Sequence, residues 1–312
     1  MKLRDPSKAD QLCPSPGKDP YWNESAWFSF SIPERKIHGM IYYFFRPNMN
    51  LLVGGPIIWD PSGCHTWNCL YSDWQHIQAI PDGARKYNFT APNSLSVQVV
   101  EPVSQYRIHY DKLGCQIELE WTAIADANEF AMEEHAYGAT TESRFHIEQA
   151  GRVKGSVRLR GETYRIDCFS LRDCSYGRRV LGATLKGGYF WGITDDKTAF
   201  HTQTKGAYGD EKVVGGFLLR DGKMGDLVSG TRRITEPGRF TPATWILEAR
   251  DNLGREIEAS CRTHSDLLFT GYPDIAITWS LLEVEVDGKK GWGDSQEFYP
   301  REDFRQRLRN TP

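Results

Sequence analysis

The sequence predicts an all-β protein of antiparallel strands arranged as sandwiches or barrels, and three observations carry that prediction. Short runs rich in β-branched and aromatic residues recur from end to end, Gly-containing turns separate them, and helical periodicity is nearly absent. At 312 residues the chain is long enough for two medium domains.

In the first half the strand signals are residues 26–31 (AWFSFS), 40–45 (MIYYFF), 94–100 (SLSVQVV), 106–110 (YRIHY) and 116–123 (QIELEWTA). The last alternates: Ile117, Leu119 and Trp121 share one face, Glu118 and Glu120 the other, the period of a half-buried strand. In the second half the runs are 155–160, 189–193, 213–220, 245–249, 257–261 and 275–286. Asp221-Gly222 and Asp287-Gly288 are strong two-residue hairpin signals, and a turn ending at Gly254 adds a third.

Helix is expected only as a turn or two in 125–135 and as a short terminal piece at 301–308. The polar, strand-poor stretch 123–143 reads as part of the link between two β-domains. The expected organisation is therefore an N-terminal arm (1–20), a first β-domain (21–140) and a second (141–312).

Lys and Arg total 38 against 41 Asp and Glu, a net charge of -3, which argues against nucleic acid or an acidic membrane surface as partner. The first twenty residues are polar and Pro-rich and lack the apolar stretch of a signal peptide, so a mobile arm and a cytoplasmic location are expected. The longest apolar run, 40–45, is far too short for stable membrane insertion. Seven scattered cysteines form no CxxC pair and suggest reduced, buried thiols rather than a disulfide framework or a metal site. Aromatic residues reach 12%, with ten tryptophans, which suits either β-cores or an aromatic-lined cavity.

Chemistry concentrates in residues 164–179, YRIDCFSLRDCSYGRR. On a strand, Asp167 and Asp173 share one face, and Arg172 shares the other with Ile166. A carboxylate at the end of such a strand beside Arg172 or Arg179 is either a structural salt bridge or an acid in an enclosed pocket.

RDCSYGRR, preceded by GRVKGSV at 151–157, resembles the Arg-Asp-His-Ser-Trp-Gly-x-Arg signature of the AttH/carotenoid 1,2-hydratase-like superfamily. YWNES at 21–25, Glu101-Pro102 before Tyr106-Arg107, FHIEQ at 145–149, and Gly291-Trp292-Gly293 before Gln296-Glu297-Phe298 extend the likeness over most of 21–299. The resemblance implies two lipocalin-like β-barrel domains packed together. It also implies relatives that hydrate isoprenoid double bonds, as in the carotenoid and kievitone hydratases, or cyclise their substrates. Cys174 stands where the pattern commonly has His, and Tyr176 where it has Trp, so the likeness locates a site better than it fixes a reaction.

Acid-initiated hydration, dehydration, isomerisation or cyclisation of an isoprenoid, prenylated or polycyclic molecule needs a proton donor, an aromatic cavity and control of water. It needs no cofactor and no metal, and the sequence has no HExxH, Walker or dinucleotide fingerprint.

Asp173 is the first candidate for the acid and Asp167 the second, with Arg172 orienting it and Tyr176 binding water or a hydroxyl. Arg179, Asn23, Glu24, Trp74, His146, Trp191 and His201 are candidates for binding substrate. Each has a plain structural alternative: a strand-end hydrogen bond for Asn23 and Glu24, loop polarity around Trp74, a satisfied core histidine, a core tryptophan. The rival reading is a carrier that binds an apolar ligand unchanged. A homodimer is compatible with the sequence.

Overall fold

A computed structural model of the chain describes residues 10–13, 16–129, 145–179, 186–272 and 275–310. It is all-β, with two β units. The first is a large antiparallel sheet of β1 (Trp22–Ile32), β2 (Ile37–Arg46), β3 (Leu51–Trp59), β4 (Tyr71–Ser72), β5 (Gln75–Ala79), β6 (Asn88–Thr90), β7 (Ser96–Glu101), β8 (Gln105–Lys112), β9 (Cys115–Ala123), β10 (Asn128–Glu129), β11 (Phe145–Leu159) and β12 (Glu162–Arg178). Its order is β4-β3-β2-β1-β12-β11-β9-β8-β7-β6, with β5 beside β3 and β10 beside β11.

The second unit is a closed eight-stranded barrel. It runs through β13 (Gly187–Asp195), β14 (Thr198–Ala207), β15 (Asp210–Arg220), β16 (Lys223–Glu236), β17 (Thr244–Asp251), β18 (Glu256–Phe269), β19 (Ile275–Val286) and β20 (Lys289–Pro300). The expected terminal helix is α1 (Arg301–Asn310). No helix of the described residues is long and apolar enough to cross a membrane.

Local chemistry explains the hairpins. Asp221 and Gly222 have φ of 53° and 72°, and Asp287 and Gly288 have 52° and 75°. Two consecutive positive φ values make the tight turn whose twist matches the flanking strands.

The strands divide between residues 178 and 187, not near 141. β12 pairs with β11 from Glu162 to Tyr176 and with β1 from Arg172 to Arg178, so RDCSYGRR lies at the centre of the first sheet. Side-chain alternation shows which faces a strand has but not which strands flank it, so periodicity alone misplaced this hairpin in the second unit. β10 pairs with β11. The remainder of the expected 125–135 helix lies outside the described residues.

Among the described residues three large cores result from this arrangement, with a small fourth cluster of Phe240, Ala276, Tyr299 and Phe304 of α1. Phe28, Tyr43, Tyr106, Ile108, Trp121 and Ile166 pack together on one side of the sheet. Phe190, Phe200, Leu218, Trp245 and Leu282 fill the barrel. Trp27, Met40 and Leu171 of the sheet meet Trp191, Phe217, Leu267 and Trp279 of the barrel in a third core between the units. β1 alternates between two of these cores, so all eleven of its residues are buried. Each enclosed aromatic side chain contributes roughly 2–3 kcal/mol of burial, which accounts for much of the aromatic richness. All seven cysteines are free thiols.

Each interior also holds a caged arginine. Arg232 in the barrel pairs with Glu211 and Glu297 at 3.2 and 2.5 Å, and its guanidinium lies 4.4 Å from the centre of the Trp245 ring. Arg172 in the sheet lies 4.6 Å from the Tyr106 ring centre and 3.7 Å from Asp10. Asp10 also accepts hydrogen bonds from Tyr106 Oη and the Val103 amide, so this described part of the N-terminal arm is tied into the first core.

Candidate functional site

Strand register lays out the outer face of the sheet in rungs. One rung reads Tyr42, Trp27, Asp173, Glu148 across β2, β1, β12 and β11. The next reads Phe44, Ser25, Ser175, His146. Adjacent strands lie about 4.8 Å apart and successive rungs on one face about 7 Å apart, so an imidazole, two carboxylates, three hydroxyls and an indole are gathered by backbone pairing alone.

The barrel supplies the opposite wall. Tyr189 pairs in register with Gln296, and Gln296 with Trp279, which places three outward-facing side chains in a row. Between the walls opens a cleft lined by Trp27, Tyr42, His146, Asp173, Arg179 and Tyr189, with Tyr272, Ile277, Trp279, Gln296 and Phe298 completing it. The space inside it that the centre of a water molecule can occupy is about 50 Å³, and the atom-free space, open solvent at its mouth included, is about 520 Å³.

The acid cluster lies on the sheet side of this cleft. His146 Nε2 is 2.7 Å from Glu148 Oε1 and 3.7 Å from Asp173 Oδ2. Tyr189 Oη donates to Glu148 Oε1, tying the cluster to the barrel wall. Glu148 is wholly buried, whereas the Asp173 side chain keeps 17% of its surface exposed. Glu148 Oε2 and Asp173 Oδ1 are buried with no hydrogen-bond partner.

Two negative charges and one positive charge in a dry site leave an excess that favours uptake of a proton. Burial, reinforced by the nearby Asp173, pushes the Glu148 carboxyl up to about 8, against the opposing effect of His146. For His146 burial alone would lower the pKa, but the Asp173 and Glu148 carboxylates outweigh it and raise it to about 9. The cluster therefore holds an exchangeable proton at neutral pH. The three residues are also the one His/carboxylate group, among those described, spaced closely enough to hold a cation, with their ligand atoms within 4.8 Å.

At the polar end of the cleft, Arg179 donates to Ser175 Oγ at 2.6 Å and to Tyr42 Oη at 3.3 Å. Tyr42 and Tyr272 hydroxyls are 3.2 Å apart. Burial, then the neighbouring Tyr272, raises the Tyr42 pKa well above its usual value, so Tyr42 remains a neutral hydroxyl.

Of the residues singled out from sequence, the structure brings Asp173, His146 and Arg179 together in the cleft. Asp167 shares the Asp173 face as expected, but six residues along a strand is about 20 Å. It pairs with Arg152 at 2.7 Å near the surface, and that hydrogen bond lowers its pKa, the opposite of what a proton donor needs. Arg172 points into the first core, donating to Gln149 Oε1 and Tyr87 Oη.

Tyr176 stacks on Trp22 on that same inner side, with Lys86 5.5 Å from its ring centre. Glu24 also faces inward, accepting from the Cys13 amide and Trp22 Nε1. Trp74 stacks on Tyr42 at 5.3 Å, just behind the cleft wall. Trp191 is buried between the units. His201 packs 4.5 Å from Tyr189, and burial, with His146 nearby, drives its pKa well down, so it is neutral. Asn23 lies on the outer face, one rung beyond Ser25.

Glu148, Tyr42, Tyr189, Tyr272 and Gln296 were not legible as site residues. Glu148 offered a signal, since it stands two residues after His146 and so shares its face on any strand.

Fold and site together define an all-β protein of two β units with an aromatic, acid-bearing cleft between them. The chain belongs to the family described as "Domain of unknown function (DUF7064)", whose profile matches residues 7–299. No curated protein matches it significantly by sequence.

Three solved structures share its fold over nearly the whole chain. An AttH-like protein from Nitrosomonas europaea is 12% identical with a TM-score of 0.55, over 95% of this chain and 99% of that one. CghA is 13% identical with a TM-score of 0.58, over 96% of each. Kievitone hydratase from Nectria haematococca is 8% identical with a TM-score of 0.52, over 95% and 94%. The resemblance read from RDCSYGRR and its companion motifs is thus matched in three dimensions.

Proposed function

We propose that the protein is a cofactor-independent acid–base catalyst acting on a hydrophobic small molecule held in the cleft. Its reaction is a hydration or dehydration, an isomerisation or a cyclisation, and its substrate is isoprenoid, prenylated or polycyclic. The observation that carries this reading is the grouping of His146, Glu148 and Asp173 on the wall of an aromatic cleft. A proton held near neutrality is well matched to general acid–base work.

The proton stored at His146 and Glu148 passes to a substrate carbon through the exposed edge of the cluster, at His146 or Asp173. Trp27, Trp279 and Phe298 line the cleft beside the cluster and give it apolar walls. In hydration, water attacks the adjacent carbon and returns its extra proton to the cluster. In isomerisation the cluster takes a proton from one carbon and supplies one at another, and in cyclisation a second double bond captures the charge. A donor with a pKa of 8 to 9 is too weak for an isolated alkene, so the reacting double bond is one polarised by a conjugated oxygen. Arg179, Tyr42 and Gln296 are placed to bind that oxygen. The fold shared with a protein named as a hydratase supports the same reaction class.

The test is binding and turnover of a panel of prenylated phenolic ketones, terpenoid enones and steroid enones by wild type and Asp173→Asn. Product from wild type alone, with binding retained in the variant, is the expected result. Equal turnover by both would remove Asp173 from the chemistry. Tight binding with no product from either would make the protein a carrier.

A further inference from the structure

The mouth of the cleft carries more positive charge than the proposed chemistry uses. Arg46 is the last residue of β2 and shares a face with Tyr42 and Phe44. Its guanidinium lies 5.4 Å from the centre of the Phe44 ring and 5.9 Å from that of Tyr21. Arg179 approaches from the other side of β1. Its amide bonds the Tyr21 carbonyl, and its guanidinium donates to Ser175 Oγ and Tyr42 Oη. Phe44 and Ser175 belong to one rung, so the two guanidiniums come to the same level of the sheet.

Both arginines are half-buried and so remain open to solvent, and Arg179 lines the cleft. The hydroxyls of Tyr42 and Tyr272, two further lining residues, are the neighbours through which Arg46 joins the same space.

Two cations at one place call for a counter-charge. Asp19, the acid nearest Tyr21 in sequence, is taken by Arg178 at 2.8 Å. Among the described residues no carboxylate pairs with Arg46, and its Nη1 is buried without a hydrogen-bond partner. Burial, and then the like charge of Arg179, lower the Arg46 pKa against the opposing effect of Tyr272. A half-buried guanidinium held beside a second one, with no acid of its own, is suited to an external anion.

We propose that Arg46 and Arg179 form an anion-binding subsite at the mouth of the cleft, and that the ligand is an apolar molecule whose head is a carboxylate conjugated to its reacting double bond. The inference rests on the proposed use of the cleft and narrows its substrate class. A planar guanidinium presents paired N–H donors that match the oxygens of a carboxylate or a phosphate. Of the two, the carboxylate also supplies the conjugated oxygen that polarises the double bond, once the arginines offset its charge. A phosphate ester has no such conjugation. A head held at the mouth leaves the apolar body to the cleft.

The experiment is titration calorimetry of the full chain at neutral pH with one isoprenoid scaffold carrying four heads: farnesoic acid, methyl farnesoate, farnesyl monophosphate and farnesol. Wild type is compared with Arg46→Gln and Arg46→Lys. A hydrogen bond to a charged group is worth about tenfold or more in affinity. With two arginines, wild type should bind the acid about a hundredfold more tightly than the methyl ester, which keeps the conjugated oxygen and lacks only the charge. The phosphate and the alcohol should bind more weakly than the acid.

In Arg46→Gln the preference should fall about tenfold, while ester affinity and the melting temperature are held, because Arg46 anchors no other residue by an ion pair. Arg46→Lys, which keeps the charge but not the fork, should recover part of the loss. Raising salt about tenfold should weaken binding of the acid and leave the ester unchanged.

Equal binding of acid and ester by wild type, or binding of neither, overturns the proposal. So does tighter binding of the phosphate than of the acid, or an acid preference undiminished in Arg46→Gln. Acid selectivity without turnover of any of the four compounds would sink the catalytic reading and leave this one standing, and turnover without selectivity would do the reverse.

Discussion

Replacing Glu148 by Gln removes the most deeply buried carboxyl of the cluster and should change how stability depends on pH. In the folded protein Glu148 titrates at about 8 because burial penalises its charged form, while in the unfolded chain it titrates at about 4.3. The folded state therefore binds the proton more tightly, and stability falls as pH rises from about 4.3 through about 8.

At about 1.4 kcal/mol per tenfold, that interval bounds the loss at about 5 kcal/mol. Sharing of the proton with His146 reduces it, so about 2–3 kcal/mol is expected. The same sign applies to His146, whose folded value of about 9 exceeds its unfolded one. Its contribution is fully present below about 6.5 and is lost through about 9.

Gln at 148 cannot ionise, so the variant should lose less stability between pH 5 and pH 9 than wild type does. Urea denaturation at both pH values, for both proteins, reads the difference in midpoint at unchanged slope. Parallel pH profiles would mean that Glu148 is ionised in the folded protein at pH 5, and the account of the cluster would be wrong.

Three other outcomes follow from the geometry. His38 Nε2 and Asp294 Oδ2 are 2.7 Å apart and nearly fully buried where β2 of the sheet meets β20 of the barrel; Asp294→Ala should cost about 3–5 kcal/mol in a urea melt, since it strands a buried imidazole. Asp10→Asn weakens the pairing that holds the arm to Arg172, and limited proteolysis should cut the chain N-terminal to β1 several-fold faster than in wild type. Asp167→Asn breaks only the near-surface pair with Arg152 and should change stability by less than about 1 kcal/mol, leaving any turnover unaffected.

The first candidate acid was legible because alternation on 164–179 separates Asp173 from Arg172 whatever the strand's partners are. The same alternation placed Asp167 beside Asp173 in kind but said nothing of distance. A strand rises too quickly for residues six apart to share a pocket. Trp27 and Tyr42 could not be read as neighbours of Asp173, because the pairing of β1 with β12 that joins them spans more than 100 residues, and Glu148 meets Asp173 across the β11–β12 hairpin, whose register alternation alone does not set.

The Asp-Gly hairpins were legible because two positive φ values in succession demand such residues. β3 was hidden because Gly54, Gly55 and Pro56 interrupt its apolar run. Tyr189, Gln296 and Trp279 belong to the barrel wall, and no local pattern indicates which outward face of a closed barrel meets another sheet.

The cleft holds an exchangeable proton at neutral pH, carried by His146 and Glu148. The most direct test is a pH titration of the His146 ring nitrogens by ¹⁵N NMR, in wild type and in Glu148→Gln. The expected result is a wild-type midpoint near 9 that falls by a unit or more in the variant. A wild-type midpoint at or below 6.5, or one indifferent to Glu148, would contradict it.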